Sequence, residues 1–275
     1  VATKTLLQSL VIWGLTYMNN IEKAFAKNKK VLIPSITAGD PDLEATKELI
    51  LAMEEAGAGV IELGIPFSDP VAEGEEMQRS AARALEAGTT TDKIFTMLKE
   101  LREKTQIPVV LVTYANPIYT YGCEKFFDNC VECGVSGILV PDVPYEEREE
   151  LLPYCEPRNI ALIAIITPNS RDRIAMIAKE AKGYVYAVSY YGVLADEVVE
   201  AKAVEMVEAV RKVSDVPVAI GFRVRKYDQG KAMGQAADGI VVDCRIADII
   251  EKHGAEGAPN IADYVKRMIA AMNNN

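Results

Sequence analysis

Histidine and tryptophan are nearly absent from this sequence of 275 residues, which contains one of each, His253 and Trp13. A single histidine near the C-terminus leaves little room for histidine-based acid–base catalysis or for a zinc site. Cysteine is also scarce, and an odd count of five predicts reduced thiols in a cytoplasmic protein rather than a disulfide framework. Cys130 and Cys133 form one isolated C-x-x-C pair with no second pair or histidine nearby, so no metal site is expected.

Net positive charge is missing as well. The formal net charge is −10, and the isoelectric point is about 4.9. Because an acidic surface repels nucleic acid and anionic membranes, neither is expected as a partner. A ligand that carries a phosphate would have to be bound by a local arrangement of groups rather than by the overall field of the protein.

The sequence also lacks an apolar run long enough to cross a bilayer. Residues 1–17, "VATKTLLQSLVIWGLTY", are apolar but too short to span, and they lack the small-residue cleavage pattern of a signal peptide. Met18 then begins a stretch with an asparagine cap and an amphipathic helical pattern. We interpret residues 1–17 as an extension outside the domain formed by residues 18–275; an extra helix packed on the surface is the alternative.

The sequence does contain a regular alternation of short apolar runs and helical patterns. The runs are rich in valine and isoleucine, and several are continuous, as in strands buried on both faces of a parallel sheet. No linker divides the chain, so a single-domain α/β fold, the (β/α)8 TIM barrel, is predicted, with an additional helix between the second and third strands. The eight runs are residues 31–36, 59–65, 108–114, 137–143, 160–166, 184–189, 216–222 and 239–244.

Several polar residues follow or interrupt these runs. In a (β/α)8 barrel the functional groups lie at the carboxyl ends of the strands. Glu62 lies within the second run, so its carboxylate points either into the barrel or against the surrounding helices. Asp69 and Glu73 lie in the loop that follows, Asp142 follows the fourth run, and Tyr186 lies in the sixth. These side chains are the first candidates for a site.

Five segments carry a resemblance to a known family. In chain order they are "PSITAGDPD", "IELGIPFSDP", "YANPIYTYG", "PDVPYEE" and "GYVYAVS". In order and spacing, over residues 18–272, they resemble the α subunit of tryptophan synthase. The resemblance implies a (β/α)8 barrel that cleaves indole-3-glycerol phosphate to indole and glyceraldehyde 3-phosphate in tryptophan biosynthesis. It also implies no cofactor of its own and a cytoplasmic heterotetramer with a β subunit that uses pyridoxal phosphate.

The resemblance places two carboxylates at the reaction. Glu62 matches the family's catalytic glutamate. The cleavage must protonate C3 of the indole and remove a hydroxyl proton, and a carboxyl group with a raised pKa in an apolar barrel can move both protons. A buried glutamate held by backbone or hydroxyl groups is the alternative. Glu73 replaces an aspartate of the family's "FSDPLADG" with a side chain one methylene longer, and Glu75 and Glu76 replace the Pro-Thr that follows.

The phosphate end departs further from the family pattern. Similar sequences hold the phosphate with backbone N–H groups of three loops, where glycines allow close approach and a helix N-terminus adds its dipole. The resemblance implies substrate contacts from Tyr114, Tyr186, Gly192, Gly221 and Phe222. The altered positions of the three loops are Leu194, Ala195, Arg223, Arg225, Asp243 and Cys244.

These alterations leave alternatives open for the anion and for the function. In the first interpretation, four cationic side chains replace the backbone groups and bind an anion; they are Arg223, Arg225, Lys226 and Arg245. In the second, Arg223 pairs with Asp243 and plugs the pocket. In the third, these charges are only solvated. The corresponding functions are the family's lyase reaction, a non-catalytic paralogue that docks on and modulates a β subunit, and a barrel repurposed for another anionic or non-phosphorylated ligand.

Overall fold

The computed structural model describes residues 18–188, 196–221 and 224–274. Within them, parallel β-strands alternate with α-helices. The strands are β1 (Val31–Thr37), β2 (Ile61–Gly64), β3 (Val109–Val112), β4 (Gly137–Leu139), β5 (Ala161–Leu162), β6 (Ala164–Ile166), β7 (Val185–Val188), β8 (Val218–Gly221) and β9 (Gly239–Val242). The helices are α1 (Asn20–Lys27), α2 (Leu43–Glu55), α3 (Glu75–Glu86), α4 (Thr91–Leu101), α5 (Ala115–Tyr121), α6 (Cys123–Glu132), α7 (Leu152–Cys155), α8 (Ile174–Glu180), α9 (Asp196–Arg211), α10 (Tyr227–Ala236), α11 (Cys244–His253) and α12 (Ala258–Asn273).

The strands form one sheet that wraps around as a barrel, which confirms the predicted fold. Their order is β5-β4-β3-β2-β1-β9-β8-β7-β6, and every strand pairing among the described residues is parallel. The prediction of eight strands differs in one place, because the fifth apolar run is divided at Ile163 into β5 and β6. β5 pairs with β4 and β6 pairs with β7, so the two halves of this run bond to different neighbours.

Alternating side chains along the strands separate two apolar layers. One set of strand residues packs against the helices, and the other fills the barrel interior. Helix α1 closes the amino end of the interior with Ile21, which is fully buried, and with Phe25. The side-chain amide of Asn19 caps this closure by donating to the carbonyl oxygens of Ser136 at 2.7 Å and Asn159 at 2.8 Å. With the amino end filled, open space remains at the carboxyl ends of the strands.

The additional helix expected between the second and third strands is α3. Its Arg83 side chain donates to the buried carboxylate of Asp40, with Nη2 to Oδ2 at 2.7 Å, and the Ser80 hydroxyl donates to the same carboxylate. These contacts hold α3 against the loop that follows β1. Among the described residues, no helix is long and apolar enough to cross a membrane.

Candidate active site

A cavity of about 420 Å³ lies at the carboxyl ends of the strands. Its walls come from the inward-facing residues of the strands and from the segment between β2 and α3. The carboxylates that line it are Glu62, Glu73, Glu75, Glu76 and Asp243. No lysine or arginine is among the described residues that line the cavity. The described part of the cavity is therefore acidic.

Glu62 projects from β2 into this cavity and is 3% exposed. Its neighbours Ile61 and Leu63 belong to the apolar layer between strands and helices, so the alternation of the strand turns Glu62 inward. The hydroxyl of Tyr184 donates to Glu62 Oε1 at 2.5 Å. A side-chain hydrogen bond to Ser35, the register partner of Glu62 on β1, is the second polar contact.

Burial raises the pKa of Glu62 to about 8. Removing a carboxylate from water penalises its charged form, and the nearby charge of Asp243 raises the pKa further. The hydrogen bonds from Tyr184 and Ser35 act in the opposite direction, because they stabilise the ionised form. At neutral pH the balance leaves Glu62 protonated, which is the state that a general acid requires.

Glu73 lies across the cavity in the segment between β2 and α3, and it is half-buried. The Tyr114 hydroxyl donates to Glu73 Oε1 at 3.3 Å and accepts from the backbone N–H of Ala72 at 3.2 Å. Burial raises the pKa of Glu73, and the hydrogen bond from Tyr114 opposes that rise. Tyr114 therefore fixes both the backbone and the side chain of this segment against the cavity wall.

Asp243 is the residue between β9 and α11, and its carboxylate faces the cavity. The Asp243 Oδ1 atom accepts from the backbone N–H of Cys244 at 2.5 Å, so this side chain caps the N-terminus of α11. Burial raises the pKa of Asp243, against the lowering effect of that N–H. The helix N-terminus, a common phosphate position in such barrels, is occupied by the protein's own carboxylate.

Arg225 contacts carboxylates on two helices. Its Nη1 lies 3.0 Å from Asp248 Oδ2, and its Nη2 contacts Glu76 Oε1. Because Glu76 lines the cavity, the guanidinium lies at the edge of the site rather than in open solvent. Arg223, the other altered position of this loop, lies outside the described residues.

The remaining predicted site residues fall into two groups. Tyr114 and Tyr186 line the cavity, and a Cβ atom at Gly221 would lie only 2.3 Å from the Tyr186 hydroxyl oxygen, so glycine is needed there for the tyrosine to pack. Outside the described residues are Gly192, Leu194, Ala195, Phe222 and Arg223, together with residues 1–17.

The sequence reasoning missed Tyr184. This residue is fully buried, belongs to the barrel interior, and precedes β7. It lies two positions before Tyr186, so strand alternation puts both tyrosines on the inward face. That spacing within "GYVYAVS" was a usable signal.

The other polar candidates have local roles. The Asp142 carboxylate accepts from the backbone N–H of Ala115 at 3.0 Å and so satisfies the start of α5. Asp69 is exposed and accepts from the neighbouring Ser68 hydroxyl. Cys130 and Cys133 are fully buried free thiols. No group of three or more potential metal ligands occurs within the described part of the chain.

The fold and the cavity define a (β/α)8-barrel protein with a candidate acid–base site at the carboxyl ends of its strands. A family model described as "Tryptophan synthase alpha chain" matches residues 21–274. The chain belongs to the tryptophan synthase alpha chain family.

Individual relatives agree with this assignment. A tryptophan synthase alpha chain of Bacillus thuringiensis subsp. konkukian is 42% identical over 246 residues, covering 87% of this chain and 93% of the relative. One from Lacticaseibacillus casei is 37% identical over 247 residues, covering 90% of this chain and 93% of the relative. Among solved structures, tryptophan synthase subunit alpha of Legionella pneumophila str. Paris matches with a TM-score of 0.85 at 31% identity, covering 94% of this chain and 100% of that one. A chain from a structure of the tryptophan synthase a2b2 complex of Pyrococcus furiosus matches with a TM-score of 0.81 at 35% identity, covering 87% of this chain and 98% of that one.

Proposed function

We propose that the protein is a lyase that cleaves indole-3-glycerol phosphate to indole and glyceraldehyde 3-phosphate. The observation that carries this proposal is the state of Glu62, a carboxyl group that faces the cavity with a pKa of about 8. A group with this pKa holds a proton at neutral pH and becomes a competent base once the proton has left. The reaction needs one group in both of these states.

In the proposed reaction Glu62 moves two protons in succession. The protonated carboxyl group first donates its proton to C3 of the indole ring. The resulting carboxylate then takes the proton of the hydroxyl on the adjacent side-chain carbon. The bond between C3 and that carbon breaks, its electron pair returns to the indole ring, and the carbon becomes the aldehyde of glyceraldehyde 3-phosphate. Glu62 ends the cycle protonated, as it began.

Glu73 has a separate role in this proposal. Protonation at C3 spreads positive charge onto the indole nitrogen, and a carboxylate that accepts the ring N–H stabilises that charge. Glu73 is held toward the cavity by the hydroxyl of Tyr114. Tyr114 and Tyr186 supply aromatic walls for a planar ring.

The test is the release of indole from indole-3-glycerol phosphate by the purified protein. We expect release by the wild type and a loss of on the order of 100-fold or more in Glu62→Gln, because general acid–base catalysis contributes at least that factor. Glu55→Gln is the matched control, since Glu55 is exposed on α2 and the same carboxyl group is replaced by the same amide. Equal turnover in Glu62→Gln and wild type would refute the assigned role.

A β subunit of tryptophan synthase is the proposed partner. The a2b2 complex of the Pyrococcus furiosus relative supports this proposal. Val71, between β2 and α3, is 78% exposed, and the proposal places this segment at the contact with the β subunit. Purified protein mixed with a β subunit should co-elute as a heterotetramer in size-exclusion chromatography. Complex formation without indole release would instead support the non-catalytic paralogue.

The extent and location of the domain are part of the same proposal. We place the family domain in residues 18–275 and treat residues 1–17 as an extension, in a cytoplasmic protein. Deletion of residues 1–17 should leave indole release and the thermal unfolding midpoint unchanged. A fall in either would assign the segment to the domain.

A further inference from the structure

We propose that Glu76 is a built-in competitor for the substrate's phosphate group at Arg225; the inference rests on the proposed function for the identity of that substrate. The chemical class of the ligand is a phosphate monoester dianion. Glu76 would then set how tightly the cavity binds such a group.

The backbone of Arg225 is held in place. Its N–H donates to Gln229 Oε1 at 2.9 Å, and the N–H of Lys226 donates to the same oxygen at 3.0 Å. The residue before it, Val224, is fully buried in the layer between strands and helices. The guanidinium is therefore presented from a fixed point of the segment between β8 and α10.

Two carboxylates share this one cation. Glu76 lies in the first turn of α3 and Asp248 lies on α11, and their side chains are 20% and 28% exposed. Arg79 of α3 is a second cation within electrostatic reach of both carboxylates. A guanidinium also has five N–H donors in a planar fork, and that fork matches two oxygens of a phosphate. The cluster thus has the donors for a phosphate, but Nη2 already contacts Glu76, a residue of the cavity lining.

Only one of the two carboxylates is in the path of a ligand. Glu76 lines the cavity, whereas Asp248 is not among its lining residues. Arg225 is not among the lining residues either, and Glu76 is the lining residue that contacts it, so a phosphate that approaches Arg225 from the cavity meets the Glu76 carboxylate. The phosphate and the Glu76 carboxylate repel each other when both contact one guanidinium, so binding of the phosphate requires Glu76 to leave Arg225. The free energy needed to separate Glu76 from Arg225 therefore weakens the binding of the phosphate.

The experiment is isothermal titration with glycerol 3-phosphate, a phosphate monoester without the indole, and with glycerol as the uncharged probe. Glu76→Gln should bind glycerol 3-phosphate about tenfold more tightly than wild type, since a hydrogen bond to a charged group has about this effect. Arg225→Gln should lose most of the binding. Glu86→Gln, at the far end of α3 and exposed, has the same change of charge and should stay within about twofold because solvent screens it. The affinity for glycerol should be the same in every variant as in the wild type.

Each outcome decides the matter. Unchanged or weaker binding in Glu76→Gln, full binding in a folded Arg225→Gln, or no binding in either wild type or Glu76→Gln at millimolar ligand overturns the proposal. Asp248→Asn is the second variant, and an effect equal to that of Glu76→Gln would contradict the distinction between the two carboxylates. If wild type releases no indole but the titration follows the expected order, the proposed function fails and competition at Arg225 stands.

Discussion

Replacement of Glu62 by glutamine should stabilise the protein increasingly as the pH rises. The folded-state pKa of Glu62 is about 8, against 4.5 for a solvated glutamate. Between these two values the folded protein holds a proton that the unfolded chain has released, so the free energy of unfolding of the wild type falls with rising pH. A glutamine has no proton to release, and its side-chain oxygen can still accept from Tyr184. The variant therefore lacks this contribution to the pH dependence.

The magnitude follows from the shift. One pKa unit corresponds to about 1.36 kcal/mol, so the variant should gain roughly 3 kcal/mol over wild type between pH 5.5 and pH 8.5. Urea unfolding of both proteins at pH 5.5, 7.0 and 8.5 measures the difference, with Glu55→Gln as the exposed control. A difference in the free energy of unfolding between wild type and Glu62→Gln that is the same at all three pH values would show that Glu62 has an ordinary pKa and that the reasoning is wrong.

Three further changes probe the surroundings of the site. Asp243→Asn removes a like charge while keeping a capping side chain, so it should lower the pKa of Glu62, measured as the alkaline limb of the pH profile of kcat/KM. Glu73→Ala should reduce kcat/KM for indole release by on the order of 100-fold, and Glu73→Asp should recover only part of it, because shortening the side chain by one methylene displaces the carboxylate by about 1 Å or more. Arg83→Met should lower the free energy of unfolding by about 3 kcal/mol by leaving the Asp40 carboxylate buried and unpaired, and Asp40→Asn in the same chain should restore much of it.

The fold was accessible from the sequence because the pattern is set by burial. Strands covered on both faces need continuous apolar runs, and the helices between them begin at capping residues such as Asp42 and Thr90. The division of the fifth strand at Ile163 was not accessible. Every residue of that run is apolar, and the change of hydrogen-bonding partner from β4 to β7 depends on the closure of the barrel.

The site was accessible only in part. Glu62 stood out as a charged residue inside an apolar run, which burial makes costly without a function or a partner. The partner of Arg225 could not be predicted, because Glu76 is 149 positions away and meets it only through the fold. None of the alternatives that the sequence left open for the phosphate end paired Arg225 with Glu76. The raised pKa of Glu62 was expected from burial in an apolar barrel, whereas the hydrogen bonds from Tyr184 and Ser35 that oppose the rise, and the charge of Asp243 that adds to it, are seen only in the structure.

The pH dependence of kcat/KM for indole release, compared between wild type and Tyr184→Phe, tests the central claim most directly. The claim is that a protonated Glu62 starts the reaction. Wild type should lose activity above a pH of about 8. In Tyr184→Phe the limb should move upward by about one unit, because the variant lacks the donor that stabilises the carboxylate. A wild-type profile without an alkaline limb, or a limb that the variant leaves in place or moves to lower pH, would contradict the account.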